Sequence, residues 1–70
     1  MDLIYVESKM VDQIGYDDSS GEAHVIFRNG GHSVYSEVSA ETWERFRDAP
    51  SKGIFVNEEF KAKGYNCRKE

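Results

Sequence analysis

The sequence predicts an α+β domain: a small antiparallel meander of three strands, with room for a fourth short edge strand, packed by two C-terminal helices. Three observations carry this. Apolar residues alternate with polar ones on both sides of Asn29-Gly30. A serine-led stretch, "VSAETWERFRDAP", places Trp43 and Phe46 on one helical face. Pro50 and Ser51 then end that helix and start another.

The elements follow in chain order. "LIYV" is a short apolar run that reads as an edge strand. Ser8 is placed to cap a helical turn through Lys9, Met10 and Val11. In "QIGYD", Ile14 and Tyr16 share one face of an extended segment. "DDSSGE" is a turn by composition; it has the acids and glycine of a calcium loop but not the alternating ligands. In "AHVIFR", Ala23, Val25 and Phe27 alternate with His24, Ile26 and Arg28. Asn29-Gly30 signals a hairpin with a type I′ turn, in which both central residues take positive φ. "HSVYSEV" is the returning strand.

Ser39 is a good N-cap, with Glu41 in the first turn, where the helix dipole favours an anion. Val38 and Trp43 have the spacing of a hydrophobic staple. Ala49 is pushed out of the helical region by Pro50. Ser51 caps the second helix, Val56 and Phe60 face the core with Phe55 alongside, and Gly64 ends it. "YNCRKE" is an exposed tail or a last strand.

The chain has 70 residues, which allows one small domain with a thin core. Its single cysteine, Cys67, cannot form an internal disulfide. No run approaches the roughly 20 apolar residues of a membrane span, and the start lacks a signal-peptide pattern. The expected setting is therefore reducing and cytoplasmic, without a membrane. Net charge is −4. Residues 1 to 50 carry four Lys/Arg and ten Asp/Glu, giving −6; residues 51 to 70 carry five and three, giving +2. Only the last third offers a basic patch.

Several groups are candidates for function. Ser51, Lys52 and Gly53 combine a hydroxyl, a cation and a small residue at a helix start, as a phosphate would require. Lys61, Lys63, Arg68 and Lys69 extend that basic region. Tyr16, Tyr35 and Tyr65 are candidates for stacking on unpaired bases. If Ala23, Val25, Phe27 and Tyr35 face the helices, then His24, Ile26, His32 and Val34 share the other face, which suggests a partner or a second copy. Two histidines without supporting Cys, Asp or Glu at ligand spacing make a poor metal site, so no metal is expected. No nucleophile and base set can be placed by spacing, and no catalysis is expected.

"VESKMVDQIGYD", "VIFRNGG", "YSEVSAETWERF" and "APSKGIFVN", in this order, resemble the KTSC domain, from about Val6 to Asn57 and more loosely to the end. That family is named for its occurrence at the C-terminus of some lysyl-tRNA synthetases and also occurs as free-standing bacterial and phage proteins. The resemblance implies a domain without cofactor or catalysis, with RNA binding suggested. The family's Ser-Lys-Gly falls on Ser51, Lys52 and Gly53, and its Phe-rich segment on Phe55 and Asn57. Here Ser33-Val34-Tyr35 replaces a frequent Tyr-x-Tyr, Ser39 replaces a proline, and Ile54 replaces a basic residue. The expected function is a small binding module for RNA or another nucleic acid. The alternative is protein interaction, as a homo-oligomer or an accessory or phage-type inhibitor docking through the sheet face. A third reading is a small phosphorylated ligand at Ser51-Lys52-Gly53.

Overall fold

The computed structural model describes all 70 residues. Five strands form one antiparallel sheet in sequential order: β1 (Leu3–Tyr5), β2 (Val11–Asp17), β3 (Glu22–Phe27), β4 (His32–Tyr35) and β5 (Cys67–Lys69). Two helical segments lie between β4 and β5: α1 (Ala40–Asp48) and α2 (Lys52–Phe55), the second continuing as π-helical turns over Val56–Lys61. The α+β class is as expected, but the sheet has five strands where three or four were predicted. β5 lies within "YNCRKE", which the sequence left open between a tail and a last strand because its three strand residues are exposed and carry no apolar alternation. Backbone pairing holds it instead, opposite Ser33, Val34 and Tyr35 of β4. The bond from the Glu70 N–H to the His32 carbonyl (2.9 Å) extends that ladder.

Two local predictions are corrected. Ser8 does not start a helical turn. Its Oγ accepts from the N–H groups of Met10 and Val11, both at 3.2 Å, and so closes a tight turn into β2. The Asn29-Gly30 hairpin exists, but its loop is longer than a type I′ turn. Only Gly30 has positive φ, at 94°, and the Phe27 N–H reaches the Gly31 carbonyl at 2.8 Å. The Asn29 side chain accepts from the Gly31 N–H at 2.9 Å, so it stabilises the turn without entering the left-handed region.

The helical half follows its sequence signals. Ser39 Oγ accepts from the Thr42 N–H at 3.1 Å and caps α1. Val38 is buried and Trp43 packs against the same core, as a staple requires. Ala49 is extended and ends α1 before Pro50. Ser51 Oγ accepts from the Ile54 N–H at 3.3 Å. The chain then widens: the Ala62 N–H reaches back five residues to the Asn57 carbonyl at 2.9 Å. Val56, Glu59 and Phe60 of these turns are all buried.

Register sorts the sheet into two faces. Ile14, Ala23, Val25 and Tyr35 meet the helices and form one core with Val11, Val38, Phe46, Val56 and Phe60. Aromatic rings bind the layers. Tyr35 stacks on Phe60 with centroids 4.7 Å apart, and Phe46 meets Phe60 edge-on at 5.2 Å. The opposite face has no helix over it. On that face Leu3 lies across Gly15: a Cβ there would stand 2.7 Å from Leu3 Cδ2 and 3.1 Å from the Asp2 carbonyl oxygen. Gly15→Val is therefore expected to push β1 off the sheet, lowering the free energy of opening β1 by about 1–3 kcal/mol while the core stays folded. Hydrogen exchange checks this; unchanged protection at β1 counts against it.

Candidate functional site

Each residue of the Ser51-Lys52-Gly53 start has a structural task. The Ser51 hydroxyl oxygen is the cap described above. The Lys52 ammonium folds back and donates to the Ala49 carbonyl, one of the orphan carbonyls at the end of α1. Gly53 is buried because Met10 crosses it: a Cβ would lie 3.1 Å from the Met10 sulfur. Close approach of two chain segments thus accounts for the glycine. Shallow grooves of about 460 and 440 Å³ flank the exposed Ile54, one toward Arg45 and Phe55, the other toward Ser8 and Met10.

Four of the five basic residues of the last third have an acceptor within the protein. Lys63 donates to Glu59 at 3.0 Å, and Arg45 reaches the same oxygen at 3.2 Å. The Tyr65 hydroxyl donates to the other Glu59 oxygen at 3.2 Å. Glu59 is only 7% exposed. Burial alone would raise its pKa, but the Lys63 and Tyr65 hydrogen bonds and the Arg45 charge outweigh it and hold the carboxyl below its ordinary value. Arg68 bridges Glu22 at 3.0 Å and Glu70 at 3.1 Å. Lys69 donates to the buried Ser33 hydroxyl at 3.0 Å. Of the five cations after Pro50, only Lys61 makes no side-chain contact with an acceptor.

The three tyrosines proposed for stacking are engaged with the protein. Tyr16 lies parallel to Trp43 at 5.5 Å and donates to the Val38 carbonyl at 2.6 Å. Tyr65 packs edge-on against Phe60 at 5.1 Å. Tyr35 is 2% exposed, and burial pushes its hydroxyl up to about 12. Its placement as a base-stacking residue is corrected: the ring is enclosed in the core and stacked on Phe60.

The outer sheet face gathers the remaining candidates. One row runs Leu3, Gly15, His24, Val34, Arg68; the next runs Tyr5, Gln13, Ile26, His32. His24 Nδ1 and His32 Nε2 are 3.0 Å apart. Ile26 is half-buried between its neighbours. Val34, expected to be exposed, is fully buried, because β5 makes β4 an interior strand and sets Arg68 beside it. The sequence reading missed Leu3 and Tyr5, which are 37% and 79% exposed. The alternation within Leu3-Ile4-Tyr5 was the available signal, but the pairing of β1 was needed to say which face it joins.

No three His, Cys, Asp or Glu side chains come together as a metal site. No helix is long and apolar enough to cross a membrane.

A one-layer antiparallel sheet with two capped helices on one face, and an uncovered face opposite, defines a small two-layer α+β domain. The chain belongs to the KTSC domain family, whose family model matches residues 7–65. It is similar to a KTSC domain protein from Yersinia pestis of known crystal structure, with 30% sequence identity and a TM-score of 0.91. The match covers 99% of this chain and 96% of that one. No curated protein matches the chain.

Proposed function

We propose that this protein is a non-catalytic, protein-binding module that docks through the outer face of its sheet onto a partner presenting an apolar surface with a basic rim. The observation that carries this reading is the pair of neighbouring rows that place Leu3, Tyr5 and Ile26 on a face without helices. A tyrosine exposed to this degree offers a large apolar area and a polar tip, the type of residue that anchors interfaces. The partner's charge follows from the surroundings. Asp17 lies on the same face opposite Glu22, which Arg68 bridges, and the chain as a whole carries −4. A polyanion meets that net charge with repulsion. The nucleic-acid reading rests on the family resemblance and, in the structure, on Lys61 alone among the C-terminal cations.

The test compares capture from source-cell lysate by wild type, Tyr5→Asp, Ile26→Glu and Lys61→Ala, each checked for native circular dichroism. A captured protein is then purified and its affinity measured. Tyr5→Asp is expected to weaken that affinity by about 30-fold, as for loss of an interface anchor worth about 2 kcal/mol; Lys61→Ala leaves it unchanged. Affinity indifferent to Tyr5→Asp and Ile26→Glu overturns the reading. So does tight RNA binding that falls steeply with salt and with Lys61→Ala.

A further inference from the structure

We propose that His24 and His32 form a two-nitrogen chelating site for a late first-row divalent metal ion, Cu²⁺ above Ni²⁺ and Zn²⁺, on the outer face of the β3–β4 hairpin. This rests on the histidine geometry and not on the docking role of the same face.

The two residues are eight apart in sequence, a spacing that suggests nothing about a shared ligand. The hairpin supplies the proximity. His24 lies opposite Val34 and His32 opposite Ile26, so the two side chains are diagonal neighbours on one face. Their ring centroids are 5.2 Å apart, and Nδ1 of His24 lies 3.0 Å from Nε2 of His32. A metal–imidazole bond is about 2.0–2.1 Å long, so two nitrogens on one ion, at the angles of a square or a tetrahedron, stand about 2.9–3.4 Å apart. The observed separation falls in that range. Turning the two lone pairs onto a common point takes rotation of the rings, with the strands left in register.

The proton balance closes. In the neutral pair one N–H lies between the facing nitrogens. Binding requires both of these to be bare, so the shared proton moves to the far nitrogen of its own ring, leaving each imidazole neutral with one N–H. The neighbouring charges are Glu22 from β3 and Arg68 and Glu70 from the β5 end. They sum to −1, which favours a dication. No third protein ligand completes the site, so water fills the other positions and the ion exchanges freely. Imidazole donors select by the general order of divalent affinity, which places Cu²⁺ first and gives Mg²⁺ and Ca²⁺ nothing to prefer.

The experiment uses the full chain without a histidine tag, freed of metal, titrated with Cu²⁺, Ni²⁺, Zn²⁺ and Mg²⁺ by calorimetry, with visible absorption for Cu²⁺. One ion per chain is expected, with Cu²⁺ tightest and Mg²⁺ silent. Removing one of two linked ligands forfeits the chelate advantage, so His24→Ala and His32→Ala each weaken Cu²⁺ binding by about 100-fold. Cys67→Ser leaves it unchanged. Two-dimensional NMR of the wild type should place the paramagnetic broadening by Cu²⁺ at β3 and β4. Binding that survives in either histidine variant, that follows Cys67, or that broadens signals elsewhere overturns the site. So does silence with every ion up to about 1 mM, an affinity floor of about 4 kcal/mol.

Discussion

Replacing Phe60 with alanine is expected to remove most of the stability of this protein. Phe60 is fully buried and is the ring on which the layers meet. It touches Tyr35 of the sheet, Phe46 of α1, Phe55 at the end of α2 and Tyr65 before β5, with centroids 4.7 to 5.5 Å away. Truncating such a ring costs about 3–5 kcal/mol, part lost transfer energy and part cavity. A chain of this length has about 4–10 kcal/mol in total. Urea unfolding followed by far-UV circular dichroism and by Trp43 fluorescence measures the loss. Phe60→Leu keeps most of the volume and should cost about 1 kcal/mol. If both variants lose less than that, the rings do not pack through Phe60 in solution.

The second large effect is expected at Glu59. Its carboxylate accepts from Arg45, Lys63 and Tyr65 inside the wall of the helical layer. Glu59→Gln keeps the shape and removes the charge. Arg45 and Lys63 are about half exposed, so both cations return to water when the anion is gone. The loss is therefore nearer the value of a charged hydrogen bond, about 1.5–3 kcal/mol, than that of a broken buried pair.

The same carboxylate shapes the acid limb. Its pKa is lowered in the folded state relative to 4.5, so the unfolded chain takes up the proton first as pH falls. Its contribution to stability is present above that value and is lost as pH falls through it toward the folded value. Stability measured from neutral pH to about pH 3 should fall more steeply for wild type than for Glu59→Gln. Parallel curves would show that the network does not hold the charge.

Most elements were legible because their signals are local. Ser39 and Ser51 cap the residues that follow them, and Pro50 restricts Ala49, all within three positions of chain. The alternation in Ala23-His24-Val25-Ile26 names two faces without reference to any other segment. The candidate sites fared differently because a ligand surface depends on what side chains do after packing. Lys52, Lys63, Arg68 and Lys69 read alike as free cations in the sequence; folding gives each an acceptor. Tyr35 reads the same as Tyr5 in a composition, yet one is enclosed by Phe60 and the other stands in solvent.

By itself, then, the sequence determined the α+β class, the helix boundaries, the hairpin and the family. Tertiary structure decided the number of strands, which cations remain free, which tyrosine is exposed, and that two histidines the sequence put on one face bring their ring nitrogens within 3.0 Å. The reason is the range of the forces. Caps, turns and alternation act over a few bonds of chain and are written in neighbouring residues. Strand pairing such as β4 with β5 is held by backbone hydrogen bonds that no side-chain pattern records, and it joins residues more than thirty positions apart.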